Sequence, residues 1–138
     1  MLRAAKYGIL YLHSEPLYGA VFPQPTRKGF FMQANVVKAF NEQITMELGS
    51  SLAYLQMAAH LESKNLIGMA AWMRLQSEEE RQHALRFLQF VLDRGNPVTL
   101  GSIDAPQSDF DSVESVFAAS LAQEQEVTAA IHDLYRSA

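Results

Sequence analysis

Gln76-Ser77-Glu78-Glu79-Glu80-Arg81-Gln82-His83-Ala84 is the stretch on which the reading of this chain turns. Taken alone, its run of acids and one arginine looks like a solvated surface. It sits, however, inside a longer pattern: Leu66, Met69, Met73, Gln76, Glu80, His83, Phe87 and Phe90 recur at steps of three and four. That period predicts an amphipathic helix over about 66–93. Glu80 and His83 then occupy the stripe where apolar residues belong. Gly95 supplies a helix-ending residue and Pro97 lies just beyond it. Met69, Trp72 and Met73 read as packing residues.

Two further helices flank this one. Upstream, Phe40, Ile44, Glu47, Ser51, Tyr54, Leu55 and Ala58 share one face of a helix over about 35–61, with Asn35 as its expected N-cap. Downstream, Val113, Phe117, Leu121, Glu124, Thr128, Ile131 and Leu134 or Tyr135 mark a helix over about 111–136. Val127 lies beside that stripe. Asp111 and Glu114 have capping-box spacing. The connection between the second and third helices holds Gly95, Pro97, Gly101 and Pro106. It exceeds the usual 2–8 residues of a helix–helix link, and suits a crossover running the length of a bundle. The fold class is therefore all-α.

Composition fits one globular domain: 138 residues, 49% hydrophobic and 19% charged, a balance that excludes wholesale disorder. Absence of cysteine excludes disulfides, thiolate metal sites and thiol nucleophiles. No apolar run approaches the roughly 20 residues a spanning helix needs, so no membrane role is expected. Residues 1–31 carry four basic residues (Arg3, Lys6, Arg27, Lys28) and one acid, Glu15; the remainder carries seven basic residues and fourteen acids. The net charge of −4 argues against nucleic acid as a partner. Pro16, Pro23 and Pro25 bar a long helix from residues 1–31. That segment is expected to be a poorly ordered extension, with the folded unit spanning 32–138 from Met32.

The chemistry lies in the polar residues on the apolar stripes. Glu47, Glu80, His83 and Glu124 each sit where a core residue belongs, and no Lys or Arg shares their stripes. A buried carboxylate must be neutralised, paired or bound to a cation. Glu80 and His83, three apart, can ligate one ion. A lone Glu-x-x-His is common on solvated helix faces; the metal reading gains from three helices each carrying a carboxylate at similar depth. Glu-x-x-His with single carboxylates on neighbouring helices is the di-iron pattern of helix bundles. Such donors suit iron or manganese, and zinc stays open. His60 and His132 read as ordinary surface or half-buried histidines.

These residues resemble the ferritin family. Phe40-Asn-Glu-Gln-Ile-Thr-Met-Glu47-Leu-Gly-Ser-Ser-Leu-Ala-Tyr54 is similar to its first helix, Gln76 to Ala84 to its second-helix motif, and Leu121-Ala-Gln-Glu124-Gln-Glu-Val-Thr128 to its third. The resemblance covers about 32–138 and is to the non-haem bacterial type. It implies a ferritin-like bundle with a di-iron ferroxidase centre. There Glu47 and His83 would bind the first iron, Glu80 would bridge both, and Glu124 would bind the second. Tyr54 would hydrogen-bond beside the centre, and Glu79 would serve a third iron or the exit path. Dioxygen or peroxide would be the oxidant. The product would be mineral iron(III) inside a cytoplasmic homo-oligomeric shell, of twenty-four subunits in the family. Arg81 stands where haem-binding relatives carry the haem-ligating methionine, so no haem is expected.

The resemblance also marks a difference. The family's fourth helix has no counterpart in these residues. The sequence thus reads as a three-helix, truncated form of the bundle, with an exposed apolar face and a weakened second iron position. Two copies completing each other's core is one expected remedy. The alternatives to a ferroxidase are a helical fragment that binds metal without turnover, and an interaction protein docking onto a helical partner.

Overall fold

A computed structural model describes residues 31–137. Residues 1–30, and with them the reading of an N-terminal extension, lie outside the described residues. Three helices form, and no strand is found among the described residues: α1 (Ala34–Ser63), α2 (Ile67–Asp93) and α3 (Val113–Ser137). The all-α expectation holds, with boundaries within a few residues of the periodic reading. Both α2 and α3 pack on α1, which is the central helix.

The helix ends show why the chain turns where it does. After α1, Asn65 takes the left-handed conformation at φ 64°. Its N–H bonds Glu62 O at 2.9 Å, and the Leu66 N–H bonds Leu61 O at 3.0 Å. After α2, Gly95 does the same at φ 71°. The Gly95 N–H meets Leu92 O at 2.9 Å and the Asn96 N–H meets Val91 O at 3.2 Å. Both are Schellman closures, in which the reversed chain satisfies the last helical carbonyls. The tight first turn makes α1 and α2 antiparallel. The second releases the chain into the crossover of residues 94–112.

That crossover lies along α1. The Thr99 N–H donates to Asn41 Oδ1 at 3.2 Å and the Gly101 N–H to Thr45 Oγ1 at 2.9 Å. Farther down, Phe110 is buried and meets the His60 ring edge-on at 5.2 Å. The chain thus descends from the start of α1 to its far end, and α3 climbs back antiparallel to it. This is the bundle-length crossover expected from the sequence.

Three readings need correction. Asn35 is not the N-cap of α1: Gln33 precedes the helix without a side-chain cap, and Asn35 lies within it. Burying Val36 in the core requires the helix to start before it. The capping box of α3 is one residue later than expected. The Ser112 N–H bonds Ser115 Oγ at 3.1 Å and the Ser115 N–H bonds Ser112 Oγ at 3.2 Å, so two serines make the reciprocal pair. The facing of α3 also differs. Val116, Ser120, Val127 and Leu134 are buried, whereas Phe117, Leu121 and Tyr135 are exposed. A helix packed on one neighbour buries one narrow seam; the sequence shows a wider apolar arc, and its middle was read as the contact. On α2 and α1 the same effect leaves Met69, Trp72 and Leu55 exposed. Trp72 lies 5.8 Å from the Phe117 ring, centroid to centroid.

The core is divided. One cluster joins Tyr54, Met57, Ala58, Leu61, Ala70, Met73, Phe110 and Val116. The other joins Val36, Phe40, Ile44, Ala84, Phe87, Val91 and Leu134. Between them the chain places a buried polar layer, which includes Glu47, Ser51, Ser77 and Glu80.

Candidate metal centre

Glu47 enters this layer from the middle of α1, and Glu80 and His83 from the middle of α2. Glu47 is fully buried, Glu80 3% exposed and His83 6% exposed. Steps of three and four along two antiparallel helices turn all three toward the α1–α2 seam. One donor atom from each lies within 4.8 Å of the other two, and this is the one group of its kind found among the described residues. His83 Nδ1 is 3.1 Å from Glu80 Oε2 and 3.9 Å from Glu47 Oε2.

No described Lys or Arg is buried. Arg81, beside Glu80 in sequence, is exposed and grips Glu78 with two hydrogen bonds of 2.7 and 2.8 Å. That bidentate contact, with Gln82 helping, holds the Glu78 carboxyl down to about 2. On α1, Gln43 donates from Nε2 to Glu47 Oε1 at 2.8 Å. One turn beyond Glu47, Ser51 Oγ donates to Ser77 O, and Ser77 Oγ donates to Ser51 O, each at 2.8 Å.

Tyr54 and Glu124 form an adjoining pair. The Tyr54 hydroxyl donates to Glu124 Oε1 at 2.7 Å and lies 3.1 Å from Ser120 Oγ. Burial pushes the Tyr54 phenol well above its ordinary 10.0, and the Glu124 carboxylate reinforces the shift. The phenol therefore stays a proton donor to Glu124. Glu124 itself is half-buried and is not in the three-residue group. Glu79 is exposed on α2 and is not in that group.

The structure thus brings together Glu47, Glu80 and His83, sets Tyr54 and Glu124 beside each other, and leaves Glu79 outside the three-residue group. Sequence reasoning did not single out Gln43, Ser77 or Ser120. Gln43 carried a usable signal: a polar residue one turn before Glu47, on the same face. Ser120 was hidden by the misread facing of α3. Two buried carboxylates and an imidazole, with no buried Lys or Arg among the described residues, fit a divalent cation with hard to borderline preference. Iron is among the ions that fit this donor set.

Comparison with known proteins gives the same direction. Residues 37–138 match the ferritin-like domain family. The bacterial non-heme ferritins of Staphylococcus aureus (strain USA300) and Staphylococcus epidermidis are each 34% identical over 103 residues. Those alignments cover 75% of this chain and 62% of each relative. An open-pore ferritin from the hyperthermophilic archaeon Archaeoglobus fulgidus superposes with a TM-score of 0.75 at 37% identity. It covers 77% of this chain and 65% of that one. The chain therefore spans less than two thirds of the length of these relatives. On the family match, the shared identity and the common helical fold, this chain belongs to the ferritin-like domain family.

Proposed function

We propose that this chain takes part in iron storage and detoxification as a ferroxidase: it binds iron(II), promotes its oxidation, and passes iron(III) to a mineral store. The observation that carries the reading is the convergence of Glu47, Glu80 and His83 in the buried layer between the two apolar clusters. The folded ferritin-like unit is assigned to residues 32–138, with residues 1–31 as an extension.

In this reading Glu47, Glu80 and His83 hold the first iron(II). Glu80 shares its carboxylate with a second ion, held also by Glu124. Tyr54, bonded to Glu124, fixes that carboxylate and keeps its own proton. Glu79 is assigned to a third iron or to the exit path. Two neighbouring iron(II) ions give one electron each to a single oxidant. With two protons from solvent, those two electrons turn dioxygen into hydrogen peroxide or, where peroxide is the oxidant, turn hydrogen peroxide into two waters. Carboxylates favour the harder, more charged iron(III), so oxidation is downhill in this donor set. The working assembly is a homo-oligomeric shell in the cytoplasm. No helix among the described residues is long and apolar enough to cross a membrane.

Iron(II) added to the protein in air should be oxidised faster than in buffer, followed as iron(III) absorbance. Glu80→Ala should reduce this to the background rate, because it removes the shared ligand. Retention of the full rate by that variant would refute the assignment. A second reading is favoured by one observation: Glu124 lies outside the three-residue group, hydrogen-bonded to Tyr54. Under it the chain binds iron(II) at one position without turnover, so iron(II) is retained but not oxidised faster than in buffer.

A further inference from the structure

Ser51 and Ser77 face each other across the α1–α2 seam, each 9% exposed. Each hydroxyl donates to the other residue's backbone carbonyl at 2.8 Å, and the two Oγ atoms are 3.2 Å apart. The bonds therefore tie backbone to backbone through two short side chains, with little rotamer freedom in between. Glu47 lies four residues before Ser51, and Glu80 three residues after Ser77. In antiparallel helices those two steps run the same way along the bundle. At 1.5 Å per residue they amount to about 6 Å and about 4.5 Å, so the carboxylates end up at nearly one level. A slip of a single residue between the helices would change that offset by about 1.5 Å, several times the few tenths of an ångström that ligand distances tolerate.

We infer that Ser51 and Ser77 are positioning residues for the metal centre: their reciprocal clamp sets the axial register of α1 against α2, and so the separation of Glu47 from Glu80. The inference rests on the metal-binding reading above. Apolar contacts between α1 and α2 are made in the two clusters, and the polar layer interrupts them between. The clamp lies where the interlocking side chains of a continuous core are missing.

Cobalt(II), bound to the full chain without oxygen and followed by its ligand-field bands, tests this without any turnover. Ser51→Ala with Ser77→Ala should weaken cobalt(II) binding about tenfold or more, the scale on which groups behind the ligands act, and change the band intensities. Ser51→Thr, which keeps the hydroxyl, should restore binding when Ser77 is intact. Leu61→Ala, about 21 Å beyond Glu47 along α1 at 1.5 Å per residue, should lower the thermal midpoint but leave the spectrum unchanged. Should the double variant fail to fold, each single alanine variant should show the same spectral change in smaller degree. Parental affinity and bands in the serine variants, with the parent binding cobalt(II), would overturn the clamp alone. A parent that does not bind cobalt(II), or binds it equally after Glu80→Ala, would overturn the metal reading and the clamp with it.

Discussion

Glu47 concentrates the conflict between folding and function in one side chain. It is fully buried, with the Gln43 amide at 2.8 Å and the His83 imidazole at 3.9 Å. Burying a carboxylate costs free energy unless hydrogen bonds and opposite charge offset it. Glu47→Gln removes the charge, keeps the shape and can still accept from Gln43 Nε2. The variant should lose metal binding, read by cobalt(II) titration, since an amide is a poor ligand beside a carboxylate. Cobalt(II) bound as tightly as by the parent would remove Glu47 from the centre. The group of Glu47, Glu80 and His83 was legible at this scale because acids on an apolar stripe need a proton, a partner or a cation. Gln43 and Ser77 escaped because neutral polar residues carry no comparable penalty, and so no comparable signal.

Among the elements, the interiors of the helices were easier to read than their ends. Apolar period survives any single residue, whereas a helix end is decided by one or two. Gly95 was recognisable, since glycine has few other reasons to follow a long helix. Asn65, in the same conformation, was not, because asparagine is common in polar turns of every kind. At the start of α3 the eye went to Asp111 and Glu114, while Ser112 and Ser115 make the reciprocal bonds. Glu114 still contributes there. Its own backbone N–H and then the Ser112 hydroxyl hold its carboxyl below the ordinary 4.5, and its negative charge suits the positive end of the helix. A carboxyl lowered by folding stabilises above its unfolded value, and the contribution is lost as pH falls through the folded one. Thermal midpoints of the parent and Glu114→Gln should therefore differ most near neutrality, with the parent higher. The two should converge as pH drops below about 4.5. A gap that stays constant into acid would mean the carboxylate charge is irrelevant.

For the molecule as a whole, the consequence of the site is a core in two pieces. Three helices and their crossover were legible because helical period and a long Gly- and Pro-containing link suffice to specify them. The facing of α3 was not, because its apolar arc is wider than the one seam it buries on α1, and no sequence pattern says which part of an arc meets a neighbour. The polar layer carries hydrogen bonds in place of continuous apolar packing: the serine clamp between α1 and α2, the Gln43–Glu47 bond within α1 and the Tyr54–Glu124 bond between α1 and α3. A cation at Glu47, Glu80 and His83 would add a cross-link between α1 and α2 at the level where apolar packing is interrupted. Binding to the folded state alone stabilises by mass action, about 2.7 kcal/mol at a free ion concentration one hundred times Kd. Iron(II) without oxygen, or cobalt(II), should therefore raise the thermal midpoint in a concentration-dependent way, and a chelator should return it to the starting value. The same titration on Glu80→Ala should give no shift, because the ligand shared by both proposed iron positions is gone. An equal rise in parent and variant would locate the stabilising ion elsewhere on the acidic surface, and the divided core would then need another explanation than metal binding.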